Sequence, residues 1–173
     1  MTGGPTGGAT GPSAGGSDPL SDPLSIDEVL ALLPQQPPFR FLDRLLELDD
    51  AHAVGEYTFR ADESFYAGHF PGDPVTPGVI LLETMCQTGL VALGIYLLGL
   101  EVPRAEVART VTLFTDAQVE FERVVRPGDT VRVHAEKVLW RRRKLKSNVT
   151  LVLADGTSVA RGTVAGMGVP RHG

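Results

Sequence analysis

The chain has 173 residues and a formal net charge of −5, with 42% hydrophobic and 21% charged residues. These values predict one soluble globular domain with a sizeable core. The acidic balance gives no general basis for binding nucleic acid. The single cysteine, Cys86, excludes an intramolecular disulfide and fits a reducing cytoplasm. It is either a small core residue, the commoner case, or a nucleophile.

The N-terminal segment is compositionally distinct from the rest of the chain. Residues 1–25 are dominated by Gly, Pro, Ser, Thr and Ala and contain no Lys or Arg. Such a segment cannot bury enough apolar surface to offset its ordering entropy, so we predict a disordered tail. It also lacks the basic start and apolar block of a secretory signal. We expect a folded domain over residues 26–166 and a frayed C-terminus over 167–173.

The first predicted elements are a short helix and two strands. Apolar residues at helical spacing predict a helix over 26–33, and Ser25 with Glu28 forms a capping-box pattern before it. Residues 39–48 and 53–60 then predict two strands joined by an acidic turn.

A long apolar helix is predicted next, from Gly78 to Leu98, with Gly99 as its stop signal. Its length also suits a transmembrane span. Glu83 and Gln87 within the segment argue against a span, because each is costly in lipid without a partner. We therefore predict a core helix and no membrane insertion.

Strands and turns fill the rest of the chain. Four strands are predicted, at about 110–125, 129–141, 144–154 and 157–166, and Gly128 and Gly156 mark turns between them. One long apolar helix plus about six strands, linked mainly by hairpins, predicts an α+β fold. A curved antiparallel sheet wrapped around the helix would bury it nearly all round.

The candidate site combines a histidine and a glutamate. His69 lies in a loop stiffened by Gly and Pro residues, and Glu83 follows in the first turns of the long helix. A histidine base beside a protonated carboxylic acid can remove one proton and donate another. No second ligand stands at metal-binding spacing from His69, and no phosphate-binding loop occurs. We predict neither a metal nor a cofactor.

This stretch closely resembles the 3-hydroxyacyl-ACP dehydratases of type II fatty-acid synthesis, the FabZ branch of the FabZ/FabA family. The family pattern reads aromatic-x-Gly-His-Phe-Pro-x-x-Pro-Val-x-Pro-Gly-Val, followed by Glu and Gln. Its positions are filled here by Tyr66, Gly68, His69, Phe70, Pro71, Pro74, Val75, Pro77, Gly78, Val79, Glu83 and Gln87. The resemblance covers about residues 25–166. One departure is that Gln35-Gln36-Pro37 stands where the family often has a histidine after the proline at 34.

The resemblance implies a hotdog fold whose subunits pair edge to edge and share the active site. It implies His69 as base, Glu83 as acid and the Val75 carbonyl as the group that orients the imidazole. The N–H of Gly78, at the helix N-terminus, suits a developing oxyanion. Gln87 either bonds Glu83 or is a satisfied polar group at the dimer contact.

The resemblance also suggests substrate contacts and a reaction subtype. Tyr66, Phe70 and Pro77 are expected to line the substrate channel. The isomerising FabA branch usually has aspartate at the position of Glu83, so glutamate predicts dehydration without double-bond migration.

A basic segment supplies a candidate surface for the carrier protein. It contains Arg141, Arg142, Arg143, Lys144 and Lys146, within an otherwise acidic protein. Acyl carrier proteins are acidic around the pantetheine attachment site, so these charges suit electrostatic steering. The alternative is an ordinary solvated hairpin.

The leading interpretation is a cytoplasmic dehydratase of 3-hydroxyacyl-ACP in fatty-acid, polyketide or polyene synthesis. It would act as a homodimer, a heterodimer with a related hotdog subunit, or a higher oligomer. Two alternatives keep the fold: an acyl thioesterase, and a non-catalytic subunit of a heterodimeric dehydratase.

Overall fold

A six-stranded antiparallel sheet wraps around one long helix in the computed structural model, which describes Met1 and residues 22–171. Most of the predicted tail, residues 2–21, and residues 172–173 lie outside the described residues. The chain enters the fold through α1 (Ile26–Leu32). Its predicted capping box is present: the Ser25 N–H donates to Glu28 Oε2 at 2.8 Å, and the Glu28 N–H donates to Ser25 Oγ at 3.3 Å.

The sheet has six strands, and one of its two edges is a long strand of twelve residues. Its strands are β1 (Arg44–Leu48), β2 (His52–Thr58), β3 (Thr110–Phe121), β4 (Thr130–Arg141), β5 (Lys144–Leu153) and β6 (Ser158–Pro170). Their spatial order is β1-β2-β4-β5-β6-β3, so β1 and β3 are the edges. Every neighbouring pair is antiparallel.

The central helix (Gly78–Gly99) consists of α2 (Gly78–Cys86), a π-helical segment (Gln87–Ala92) and α3 (Leu93–Gly99). Ser147 on β5 donates to the Gly89 carbonyl at 2.7 Å, inside the π-helical segment. A Cβ at position 89 would lie 2.7 Å from Val149, so a larger residue would push the helix off the sheet. Although this helix is long and apolar enough to cross a membrane, 72% of its most apolar window is buried.

Two short helices complete the fold. A 3₁₀ helix (Ser64–Ala67) leads into the His69 loop, and α4 (Arg104–Val107) links the central helix to β3. Sequence patterning did not predict either of them.

The predicted α+β hotdog architecture is confirmed, with corrections at strand ends. β1 begins at Arg44 rather than at 39, because the backbone of residues 39–41 bonds the Gln87 side chain instead of a strand. β6 continues to Pro170, which pairs with Thr110 of β3. Residues 167–170, which we expected to be frayed, are therefore part of the sheet.

Candidate active site

His69 is held by reciprocal hydrogen bonds with Val75. The Val75 N–H donates to the His69 carbonyl at 2.9 Å, and His69 Nδ1 lies 2.8 Å from the Val75 carbonyl oxygen. A carbonyl oxygen can only accept, so Nδ1 carries the proton in this pair. The neutral imidazole then leaves Nε2 as a proton acceptor. The Phe70 ring stacks on the imidazole, with centroids 4.1 Å apart.

Buried polar contacts fix both ends of the loop. The Thr76 N–H donates to the Val125 carbonyl at 2.8 Å, and Thr76 Oγ1 shares a hydrogen bond of 2.6 Å with the Tyr66 hydroxyl. Burial raises the pKa of Tyr66, so the hydroxyl keeps its proton. At the outer edge of the loop, Arg126 pairs with Asp73 at 2.7 Å. These buried and surface contacts fix the conformation of the loop, and the loop in turn fixes the position of His69.

Glu83 is positioned by Gln87, one helical turn further along the central helix. Gln87 Nε2 donates to Glu83 Oε1 and to the Phe39 carbonyl, each at 2.8 Å. Its Oε1 accepts the Phe41 N–H at 2.7 Å, which fixes the orientation of the amide. Gln87 is fully buried and all of its hydrogen-bonding groups have partners. Glu83 Oε1 is thereby occupied, while Oε2 has no partner within residues 22–171.

The start of the central helix presents a backbone donor. The Gly78 N–H donates no hydrogen bond within the described part of the chain, because it precedes the first helical hydrogen bonds. The positive end of the helix dipole lies at the same point. The Phe121 ring of β3 lies 3.6 Å from the position that a Cβ would take at residue 78. This corner can therefore stabilise a negatively charged oxygen beside an apolar wall.

The other predicted channel residues have different environments. Phe70 is 55% exposed, so it is available to a substrate. Tyr66 and Pro77 are buried, and Tyr66 supports the loop through Thr76. Sequence reasoning missed Thr76, Phe121 and the backbone of residues 39–41, because these contacts join distant segments and have no local pattern.

His69 and Glu83 do not bond each other within one chain. Both are half-buried, and no hydrogen bond joins them in residues 22–171.

Cys86 is only 6% exposed, and burial, with a smaller effect from the Glu83 charge, raises its pKa to about 12. Its thiol therefore stays protonated at neutral pH and is a core residue rather than a nucleophile.

The predicted carrier surface lies at the β4–β5 turn, near the opposite end of the central helix. Arg141, Arg142 and Lys144 are exposed, while Arg143 pairs with Glu106. Lys146 is half-buried. Arg142 and Arg143 have φ values of 50° and 62°, in the left-handed region that a two-residue hairpin turn requires.

A long buried helix inside a wrapping antiparallel sheet of six strands defines a hotdog-fold protein. Solved structures with this fold include the ApeI:P dehydratase heterocomplex from Xenorhabdus doucetiae, with a TM-score of 0.64 and 16% identity, covering 80% of this chain and 89% of that one. A thioesterase from Haemophilus influenzae aligns with a TM-score of 0.61 and 11% identity over 85% of this chain and 92% of its own. These two likenesses establish the fold alone.

Sequence comparison identifies the family. A family model described as the FabA-like domain matches residues 33–163. The 3-hydroxyacyl-(acyl-carrier-protein) dehydratase FabZ of Chloroflexus aggregans is 42% identical over 133 residues, which cover 76% of this chain and 87% of that protein. The chain therefore belongs to the FabA-like family of dehydratases, on its FabZ branch.

Proposed function

We propose that this protein removes water from 3-hydroxyacyl-ACP to give trans-2-enoyl-ACP, with His69 as base and Glu83 as acid. The observation that carries the proposal is the contact between His69 Nδ1 and the Val75 carbonyl, which makes Nε2 the proton acceptor of a neutral imidazole. A relative that is 42% identical is named as an enzyme for this reaction.

The proposed chemistry assigns one proton to each residue. His69 Nε2 takes the C2 proton of the thioester, and Glu83 Oε2 gives its proton to the departing C3 hydroxyl, which leaves as water. Negative charge that builds on the thioester oxygen is stabilised by the Gly78 N–H and the helix dipole. Gln87 holds the Glu83 carboxyl group through Oε1. Return of the proton from His69 to Glu83 resets the site.

The two residues act together across a dimer in this proposal. Support comes from β3, a twelve-residue edge strand with Leu113, Phe114 and Phe121 each about half exposed. An exposed apolar edge of this length is a surface for pairing with another strand. Antiparallel pairing with β3 of a second copy completes the site from two subunits, either identical or closely related.

The same pairing brings the basic hairpin to the site. Within one chain, Trp140 and Arg143 lie beside Thr112, near the start of β3, whereas Gly78 lies beside Phe121, at its end. Antiparallel pairing sets the start of one strand next to the end of the other. The hairpin of each subunit therefore flanks its partner's site, where it can attract an acidic carrier protein.

We assign the reaction to fatty-acid synthesis or to a polyketide or polyene pathway with separate enzymes, in the cytoplasm. Glutamate rather than aspartate at position 83 supports dehydration without double-bond migration.

Mass spectrometry of 3-hydroxyacyl-ACP incubated with the purified protein tests this proposal. The expected product has lost the mass of one water and remains on the carrier, and His69→Ala gives no product. Release of free acid would instead identify a thioesterase. Unchanged substrate at every chain length would identify a non-catalytic subunit.

A further inference from the structure

The central helix changes its winding in the middle. Between α2 and α3, the segment Gln87–Ala92 is π-helical, with hydrogen bonds that reach back five residues instead of four. The Leu93 N–H accordingly donates to the Thr88 carbonyl, and also to that of Leu90. In a regular α-helix the same N–H would donate to Gly89. The wider winding therefore takes away the backbone donor that the Gly89 carbonyl would otherwise have.

A side chain from the sheet takes the place of that donor. Ser147 of β5 is fully buried, and its hydroxyl donates to the Gly89 carbonyl at 2.7 Å. A buried carbonyl without a partner is costly, so this hydrogen bond stabilises the wide turn. In regular α-helical winding the carbonyl would have the Leu93 N–H instead, and the buried Ser147 hydroxyl would lose its partner. The sheet therefore favours the π-helical form of the segment.

The sheet also holds the π-helical segment closely on two sides. A Cβ at Gly89 would lie 2.7 Å from Val149 Cγ1, and a Cβ at Gly55 of β2 would lie 2.3 Å from Thr88 Oγ1. Each close approach is possible because one of the two partners is glycine. These two contacts fix the direction in which the residues of the segment face.

The wide turn sets the direction of the residues at the start of the helix. One extra residue in a turn rotates the part before it by about 100° relative to the part after it, because an α-helix has about 3.6 residues per turn. Gln87, the first residue of the segment, bonds the backbone of Phe39 and Phe41. It also donates to Glu83 Oε1 at 2.8 Å. A return to regular winding would turn Gln87 away from that backbone, and Glu83 would lose its support.

We propose that Ser147 is a positioning residue for Glu83: its hydroxyl holds the π-helical turn, and the turn keeps Glu83 in contact with Gln87. The inference rests on the proposed dehydratase function and adds a residue of β5, outside the loop and the helix that carry the site. π-Helical segments are rare and occur frequently at functional sites, which agrees with this role.

The first test measures turnover of 3-hydroxybutyryl-pantetheine by wild type, Ser147→Ala and Ser147→Cys. Ser147→Ala removes the donor and should lower kcat by about 10- to 100-fold with little change in KM, since misplacement of a reacting group by about 1 Å can cost that much. Ser147→Cys keeps the size and a weak S–H donor, so its kcat should lie between the two. Leu151→Ala, at a buried position on the same face of β5, is the control. It should lower the melting temperature at least as much as Ser147→Ala but leave kcat unchanged.

Double mutants separate positioning from a general loss of stability. If Ser147 acts through Glu83, adding Ser147→Ala to Glu83→Gln should cause no further loss of kcat, because the group that it positions is already gone. A further tenfold loss on that background, or a wild-type kcat in Ser147→Ala alone, would overturn the inference. If Ser147→Ala does not fold, Ser147→Cys, alone and combined with Glu83→Gln, decides in the same way.

A second measurement does not depend on activity. The Gln87 side-chain amide is buried and bonded to Phe39 and Glu83, so its hydrogens should exchange slowly with solvent. Its NMR signal is identified by its absence in Gln87→Met. Ser147→Ala should speed this exchange by about tenfold or more, and Leu151→Ala should change it less. Equal exchange in wild type and Ser147→Ala would contradict the inference, whereas faster exchange in a protein whose wild type has no dehydratase activity would refute the proposed function alone.

Discussion

The two ends of the central helix are built for different tasks. At its start, Glu83 and Gln87 are polar and tied into hydrogen bonds, and the Gly78 N–H is unoccupied within the described residues. At its other end, Gly94 and Leu98 border a small apolar cavity under Trp140. Proton transfer needs polar groups held in fixed positions, whereas apolar packing needs only burial and shape. The difference indicates that the start of the helix, rather than its other end, can support acid–base chemistry.

The largest expected effect comes from the polar end. His69→Ala and Glu83→Gln should each reduce dehydration by about 10²–10⁴-fold, because each removes a positioned proton acceptor or donor. Steady-state rates on one short and one long substrate measure the effect. Both lengths should lose activity to the same degree, because the two residues are proposed to act on the reacting carbons near the thioester. Near-normal rates in either variant would remove that residue from the mechanism.

Substitution of Gln87 is expected to have the next largest effect, on both stability and turnover. Gln87→Met keeps an unbranched side chain of similar length but leaves the Phe41 N–H and the Phe39 carbonyl without their partner. Each unsatisfied buried group costs about 1–3 kcal/mol, so with two such groups the free energy of unfolding should fall by about 2–6 kcal/mol in urea titrations. Turnover should also fall, because Glu83 loses its support. A variant with wild-type stability and activity would show that these contacts do not matter in solution.

Much of the polar end could be predicted from sequence, because Gly, Pro and His in the loop form a local pattern. The hydrogen bonds that support Glu83 could not be predicted, because Gln87 bonds the backbone of Phe39 and Phe41. Such long-range bonds leave no periodicity in the sequence. The same bonds explain why β1 starts later than its apolar pattern predicts. Turns were predictable where glycine supplies a positive φ, as at Gly128 and Gly156.

Charge reversal in the β4–β5 hairpin, at the apolar end of the helix, is expected to affect only the turnover of carrier-bound substrate. Reversing Arg141 and Arg142 to Glu should lower kcat/KM for 3-hydroxyacyl-ACP by about tenfold, since steering charges act on encounter. Arg143 is left in place because it pairs with Glu106. Arg161→Glu on β6 is a control charge reversal away from the turn, and its melting temperature is compared with that of wild type because Arg161 pairs with Glu122. Pantetheine thioesters should react normally, and added salt should reduce the difference between the variants. Equal losses on both kinds of substrate would indicate a damaged fold instead.

Substitution of Cys86, which lies between the two ends of the helix, is expected to have the smallest effect. The quantity affected is the pH dependence of the free energy of unfolding. The pKa of Cys86 is raised to about 12 by burial, above the value of about 8.5 for an exposed thiol. Below about pH 8.5 both the folded and unfolded states keep the proton, so the stabilisation is fully present. Above that pH the unfolded state releases it first, and the free energy of unfolding should fall by up to about 1.4 kcal/mol per pH unit. Chemical denaturation between pH 7 and 10 should show a shallower decline for Cys86→Ala. Identical slopes would place the thiol in contact with water.

Mixing the two inactive variants most directly tests the proposal that two subunits share the acid–base site. After subunit exchange between His69→Ala and Glu83→Gln proteins, a hybrid dimer holds one site with both mutations and one with neither. Activity should recover to about a quarter of wild type, because half of the dimers are hybrids and half of their sites are intact. Verified exchange, for example by native mass spectrometry of differently tagged subunits, without any recovery would contradict the account and place the whole site in one chain.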